Sequence, residues 1–162
     1  MALQKIVSGG QTGVDRGALD AALELGFPCG GWCPAGRKAE DGVIEARYPV
    51  VELQGAKYLE RTVQNIVDSD GTLVLYFDYL QGGTEQTVAH CIRRRRPYKL
   101  VDGAELSARD GARLAAGFVA RHDVGMLNVA GPRQSKEPRA HAYAYAVIST
   151  LLRSLGDAGR DD

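Results

Sequence analysis

Residues 5–16 read KIVSGGQTGVDR, and this stretch decides the fold assignment. Residues 4–8 form a short apolar run that predicts a buried strand, and residues 14–25 carry apolar side chains at helical spacing. A strand, a glycine-rich turn and a helix start in this order are typical of anion sites. Glycines let the backbone approach an anion closely, and the first amides of the helix are unpaired at the positive end of its dipole.

The rest of the chain alternates in the same way between strand and helix patterns. Further strands are predicted at 29–33, 71–77, 98–101 and 126–130, with a weak extended stretch at 49–53 near a sheet edge, and helices at 59–67, 85–94, 108–121 and 139–152. The alternation favours a Rossmann-like α/β sandwich, a mainly parallel sheet covered by helices on both faces. We predict one domain over residues 1–155 and a flexible C-terminal tail over 156–162.

Composition argues against several classes of function. The chain has 162 residues with 20 basic and 20 acidic side chains, so its net charge is zero. This argues against a nonspecific nucleic-acid binder, which needs a basic surface, but a local nest of amides can still bind a small anion. Three cysteines without a disulfide framework, and no signal peptide or apolar run of roughly 20 residues, predict a cytoplasmic protein without a membrane anchor.

Four loops follow the predicted strands, at residues 8–16, 33–42, 78–85 and 130–137. Ligands of a doubly wound sheet bind beyond the carboxyl ends of its strands, so these loops are expected to meet at one edge. All four are rich in glycine or in Arg, Lys, Ser and Thr. Together they predict a composite site for a small phosphorylated ligand.

The first loop holds most of the candidate ligand-binding residues. These are Gly9, Gly10, Gln11, Thr12, Gly13, Asp15 and Arg16. Backbone amides of residues 10–13 would cradle a phosphate, with Arg16 reaching in. The alternative is an ordinary strand-to-helix turn, in which Thr12 caps the helix and Asp15 suits the helix dipole. The loop is neither a Walker A motif nor a GxGxxG fingerprint.

The other three loops supply weaker candidates. These are Trp32, Arg37, Asp41, Gly82, Gly83, Thr84, Glu85, Gly131, Arg133 and Ser135, with Lys38, Glu40 and Lys136 beside them. Each has a plain alternative. Thr84 would cap a helix, Trp32 would lie half-buried in the core instead of stacking on a heterocycle, and a polar loop needs no ligand to be polar.

The cysteines, the histidines and a run of arginines are conspicuous, but none of them indicates a metal site or a catalytic site. Cys29 and Cys33 lack the spacing of a zinc site, and the histidines show no metal-ligand spacing, so no metal is expected. Arginines 93–96 cannot share one face of a helix and lie at its C-terminus, which favours a solvated or subunit-contact role. No Ser-His-Asp or Cys-His arrangement can be placed.

At these loops the sequence resembles the molybdenum carrier family, a circularly permuted YpsA-type branch of the SLOG group. The resemblance covers roughly residues 4–152 and rests on SGGQTGVDR at 8–16, GWCPAGR at 31–37 with AEDG at 39–42, GGT at 82–84 and LNVAGPR at 127–133. It implies a Rossmann-like fold related to the LOG and lysine-decarboxylase-like proteins. It also implies binding of the molybdenum cofactor or another phosphorylated nucleotide-like ligand, and a homo-oligomer.

The resemblance to LOG enzymes also bears on catalysis. These enzymes cleave nucleoside monophosphates at the N-glycosidic bond, and their motif has a Glu three residues after the Thr of the glycine turn. Here that position is Thr87, and Glu85 would point elsewhere on the helix. The expected acid is therefore missing, although Asp15, Glu40, Asp41 or Glu85 could substitute for it.

Three hypotheses follow. The first is a carrier that shelters a phosphorylated pterin cofactor or a related nucleotide. The second is a LOG-like nucleotide N-glycosidase. The third is a nucleic-acid-binding module, because the first loop is also similar to the DNA-processing protein A family, but the zero net charge makes this partner unexpected.

Overall fold

The computed structural model describes residues 2–55, 57–158 and 160. Its strands are β1 (Lys5–Val7), β2 (Cys29–Cys33), β3 (Lys38–Ala39), β4 (Gly42–Val43), β5 (Val50–Glu52), β6 (Gly71–Tyr76), β7 (Tyr98–Asp102) and β8 (Met126–Ala130). Its helices are α1 (Val14–Glu24), α2 (Tyr58–Val67), α3 (Gly82–Arg93), α4 (Ala108–Arg121) and α5 (Ala140–Ala158).

Six of the strands form one parallel sheet in the order β5-β2-β1-β8-β6-β7. Strands β3 and β4 pair separately as a small antiparallel hairpin. Helix α5 packs against both α1 and α4, and α2 and α3 form a second pair. The predicted α/β sandwich with a mainly parallel sheet is therefore confirmed.

The core explains why these segments fold as they do. Strand β6 is buried along almost its whole length, because it has a neighbouring strand on both sides and helices above and below. Leu73 and Leu75 of this strand join Ile6 and Leu127 in the main apolar cluster, and each of these side chains is fully buried. Burial of one such side chain stabilises the fold by about 1.5–3 kcal/mol.

Two helices differ from their predicted bounds by more than one residue. Helix α3 begins at Gly82 instead of 85, because Gln81 is the extended N-cap residue, and the glycine turn is the first turn of the helix. Helix α5 continues to Ala158, into the segment predicted as a tail. Residues 159, 161 and 162 of that predicted tail lie outside the described part of the chain.

The topology creates a crevice at the carboxyl edge of the sheet. From β1 the chain builds β2 and β5 on one side, and then β6 and β7 on the other, with β8 inserted last between β1 and β6. Such a reversal is where doubly wound sheets bind ligands. Helices α1 and α3 begin directly after β1 and β6, so their N-termini face this edge.

None of the helices in the described part of the chain is long and apolar enough to cross a membrane.

Candidate functional site

A cleft of about 500 Å³ opens at the carboxyl edge, between the end of β1, the ends of β6 and β8, and helices α2 and α3. This volume lies in the range of small-molecule sites. The lining residues are Gly9, Gln11, Asp15, Arg61, Thr62, Asn65, Tyr76, Phe77, Tyr79, Gln81, Gly82, Gly83, Thr84, Thr87, Asn128, Val129, Ala130, Gly131, Pro132, Arg133, Lys136 and Glu137.

A buried ion pair lies at the inner end of the cleft. Nη1 of Arg61, from α2, is 3.4 Å from Oδ2 of Asp15, in the first turn of α1. The amide of Gln11 donates to the same carboxylate oxygen at 3.3 Å. Arg61 lies over the backbone of Gly9, where a Cβ would be 1.5 Å from its Nη1. A side chain at position 9 would therefore displace the Arg61 guanidinium from this place.

Burial sets the protonation behaviour of this pair. Only 8% of the Asp15 side chain and 10% of the Arg61 side chain are exposed. Burial raises the pKa of Asp15 above its ordinary value, against the opposing attraction of Arg61 and the Gln11 amide. When both groups are ionised their charges cancel, so the pair gives the inner end of the cleft hydrogen-bonding groups without making it an anion site.

The outer part of the cleft favours an anion. The first residues of α3, Gly82, Gly83 and Thr84, line the cleft, and the amides of a first helical turn have no acceptor within the helix. The helix dipole adds partial positive charge there, and Arg133 and Lys136 line the same space. Glu137 also lines it, but its carboxylate is paired with Arg139 at 2.7 Å.

The alternative prediction that Thr12 and Thr84 cap helices α1 and α3 is wrong. Gly13 is the N-cap residue of α1 and Gln81 that of α3, so neither Thr12 nor Thr84 serves as the N-cap. Thr87, at the position where LOG enzymes are expected to have Glu, lies in the cleft lining and donates its hydroxyl to the Gly83 carbonyl at 3.0 Å.

The predicted candidate residues fall into two groups. Those that line the cleft are Gly9, Gln11, Asp15, Gly82, Gly83, Thr84, Gly131 and Arg133. Those that lie outside its lining are Gly10, Thr12, Gly13, Arg16, Trp32, Arg37, Asp41, Glu85 and Ser135. The four loops thus do meet at one edge, but part of the second loop contacts the first and fourth loops beside the cleft.

Three of the outlying residues have clear structural contacts. The guanidinium of Arg37 donates to the carbonyls of Ile44, Glu45, Tyr48 and Val50 at 2.7–3.1 Å and so holds the 44–50 segment in place. Arg16 donates to both oxygens of Asp41 at 2.8 and 3.1 Å. Trp32 donates its indole N–H to Asp68, the C-cap residue of α2, at 2.7 Å.

The sequence reasoning missed the contribution of α2. Arg61 and Asn65 are one turn apart on this helix, and both are buried at the sheet. Their spacing of four residues places two polar side chains on one helix face, but this was a weak signal, because Thr62 beside them on that face is also polar. Asn128 was another, since it is a buried polar residue in the apolar strand β8.

The described residues include no group of three or more His, Cys, Asp or Glu side chains that could hold a metal ion. The three cysteines are free, and none of them lines the described cleft. Burial raises the pKa of the Cys33 and Cys91 thiols, which keeps them protonated at neutral pH.

A parallel sheet with a polar cleft beyond its carboxyl edge places the chain among the Rossmann-like α/β proteins. More narrowly, the chain belongs to the circularly permutated YpsA SLOG family, whose family model matches residues 6–152. This confirms the family predicted from the loops.

One solved structure is closely similar to the chain. It is the crystal structure of the "Putative molybdenum carrier protein" from Syntrophus aciditrophicus SB, which is 38% identical. The match covers 93% of this chain and 96% of that chain, with a TM-score of 0.90. No curated protein matches the chain.

Proposed function

We propose that this protein is a cytoplasmic, homo-oligomeric carrier of the molybdenum cofactor that binds the phosphorylated pterin, or a related nucleotide-like ligand, in the cleft. One observation carries the proposal. The first turn of α3 opens into the cleft beside Arg133 and Lys136, which gives amides, a helix dipole and two cations in one place. The name of the similar solved structure, a molybdenum carrier protein, supports a ligand that contains molybdenum.

The donor set fits such a cofactor. Residues 82–84, Arg133 and Lys136 would hold the phosphate, and the side chains of Asp15 and Asn128 would face the polar edge of the pterin ring. The bound cofactor would supply the molybdenum centre for a receiving enzyme. No cysteine lines the described cleft, so the lining residues would offer the metal no thiolate ligand.

A ligand panel tests the proposal by thermal denaturation and calorimetry. The panel pairs the molybdenum cofactor, pterin phosphates and nucleoside monophosphates with unphosphorylated counterparts. We expect the phosphorylated members to stabilise the protein, by about 2.7 kcal/mol at 100 times the dissociation constant. Replacing Arg133 with Ala should weaken only the phosphorylated ligands, whereas Arg113→Ala, an exposed arginine on α4, should change nothing. The proposal fails if no panel member binds.

A second candidate function is a LOG-like nucleotide N-glycosidase, and Asp15 is the observation that favours it. Asp15 is a buried carboxyl group in the cleft with a raised pKa, a setting suited to proton transfer. The other acids considered from the sequence, Glu40, Asp41 and Glu85, do not line the cleft.

Release of free base from nucleoside monophosphates tests this candidate. If Asp15 transfers the proton, Asp15→Asn should slow base release by about 10²–10⁴-fold, whereas Glu85→Gln should leave it unchanged. Chromatography of the free base gives the rate. No turnover across the nucleotides by the unaltered protein would rule the candidate out and leave the carrier function standing.

A further inference from the structure

The carboxylate of Glu40 is surrounded by hydrogen-bond donors. Glu40 lies in the turn of the β3–β4 hairpin. Its Oε1 accepts from the Thr12 hydroxyl and from the Ser135 amide at 3.1 Å. Its Oε2 accepts from the Ser135 hydroxyl at 2.5 Å and lies 3.5 Å from Nε of Arg133. We call Thr12, Arg133 and Ser135 the Glu40 nest.

The nest is built by the first and fourth loops, independently of the hairpin that fills it. The Gln134 amide donates to the Thr12 hydroxyl at 3.1 Å, and Val14 donates to the Pro132 carbonyl at 3.1 Å, so the two loops are bonded directly to each other. Burial opposes ionisation of Glu40, but the hydrogen bonds from Ser135 and Thr12 hold its pKa below the ordinary value. The nest therefore stabilises a negative charge.

The Glu40 side chain can leave the nest without opening the hairpin. The hairpin has two further ties to α1 and the first loop. The Glu40 amide donates to the Gln11 side chain at 2.9 Å, and Asp41 is paired with Arg16 at 2.8 Å. Rotation about the side-chain bonds of Glu40 alone would expose the four donors, because neither tie involves its carboxylate.

We propose that the Glu40 nest is an oxyanion-binding site for a phosphate group, and that Glu40 occupies it as an internal substitute until a phosphate displaces it. A phosphate carries more negative charge than a carboxylate and has three strong acceptor oxygens, so it can use the same donors. Arg133 belongs both to the nest and to the cleft lining, which makes the two sites continuous. Binding of free phosphate to the Glu40 nest does not depend on the proposed carrier function.

Removing the internal carboxylate should open the site. We expect inorganic phosphate to bind the Glu40→Ala protein at least about tenfold more tightly than the unaltered protein. The reason is that phosphate no longer competes with the Glu40 carboxylate for the donors of the nest, and hydrogen bonds to a charged acceptor are strong. A titration followed by the NMR amide signals of Gln134 and Ser135 measures this. Adding Thr12→Val and Ser135→Ala to Glu40→Ala should reverse the gain, because both hydroxyl donors are then missing.

The matched control is Glu45→Ala, which removes the same charge from an exposed side chain of the neighbouring segment. If Glu40→Ala and Glu45→Ala bind phosphate equally well, the inference is wrong and Glu40 only fastens the hairpin. Glu40→Gln keeps the size of the side chain and should act in the same direction, so a failure of Glu40→Ala to fold does not remove the test.

Two binding measurements distinguish a phosphate group that belongs to a cleft ligand from free inorganic phosphate. If the nest takes the phosphate of a cleft ligand, Glu40→Ala should tighten binding of a nucleoside monophosphate but not of its nucleoside. If it takes free phosphate, only inorganic phosphate should gain. Failure of every panel ligand to bind, together with a tenfold gain for inorganic phosphate, would contradict the carrier function and support the nest.

Discussion

Replacing Arg61 with Met is expected to lower the free energy of unfolding by about 3–5 kcal/mol at neutral pH, because it leaves a buried carboxylate without its cation. Asp15 is the residue left behind, and only 8% of its side chain is exposed. Methionine fills much of the space of the aliphatic part of arginine, so no large cavity forms. The loss in free energy of unfolding therefore comes mainly from the missing charge. Urea denaturation monitored by circular dichroism gives the value.

The size of this effect should depend on pH in a defined direction. Burial already raises the pKa of Asp15 from its ordinary 3.8, and removal of Arg61, which opposes that rise, raises it further. A carboxyl group with a raised folded-state pKa lowers stability as pH rises from the unfolded-state value through the folded-state value. The Arg61→Met protein should therefore approach the unaltered protein as pH falls toward 4, and differ most at neutral pH.

The double variant Asp15→Asn with Arg61→Met supplies the control. It removes both charges, so we expect it to recover part of the lost stability and to lose the added pH dependence. A second control, Arg113→Met, changes an exposed arginine on α4 and should be close to neutral. If Arg61→Met loses the same free energy at pH 4 and pH 7, the ion pair is not the cause.

The fold was predictable because its signals are local. Hydrophobic periodicity depends only on neighbouring residues, and it placed α4 at Ala108–Arg121, as observed. The meeting of the four loops also followed from the sequence, since all the strands that precede them are parallel and share one carboxyl edge.

The composition of the cleft was less predictable because it depends on how distant elements pack. Arg61 and Asn65 enter the cleft only because α2 turns one particular face toward the sheet. The sequence of α2 shows which residues share a face but not what that face meets. Arg37 shows the converse, since a basic loop residue that resembles an anion ligand instead satisfies backbone carbonyls.

The Glu40 nest was predictable in part. Thr12, Arg133 and Ser135 were predicted as anion ligands, and they do converge on a negative charge, but it belongs to Glu40. Residue type alone indicated that these side chains suit an anion. Only the long-range geometry shows that the chain itself supplies one, because Glu40 and Ser135 are 95 residues apart in sequence.

Replacing Gly13 with Ala is the second change with a large expected effect. Gly13 has a φ of +80°, and a Cβ there would lie 2.4 Å from the Pro132 carbonyl oxygen and 2.7 Å from the Gln134 nitrogen. Both are backbone atoms, so relief requires the fourth loop to move away from the first. We expect a loss of about 3–4 kcal/mol in the free energy of unfolding, combining backbone strain with this displacement.

Gly36→Ala separates the two contributions to that loss. Gly36 has nearly the same φ, +81°, but the nearest atom to its Cβ would be 3.5 Å away in the flexible side chain of Lys38. The Gly36→Ala protein should therefore lose only the free energy that backbone strain costs, about 1 kcal/mol. The Gly13 variant should in addition lose the Gln134–Thr12 hydrogen bond and with it the Glu40 nest, seen as altered amide signals of residues 134 and 135. Equal losses in the two variants would mean that contact between the loops contributes nothing, and the nest would then have to be held by the hairpin instead.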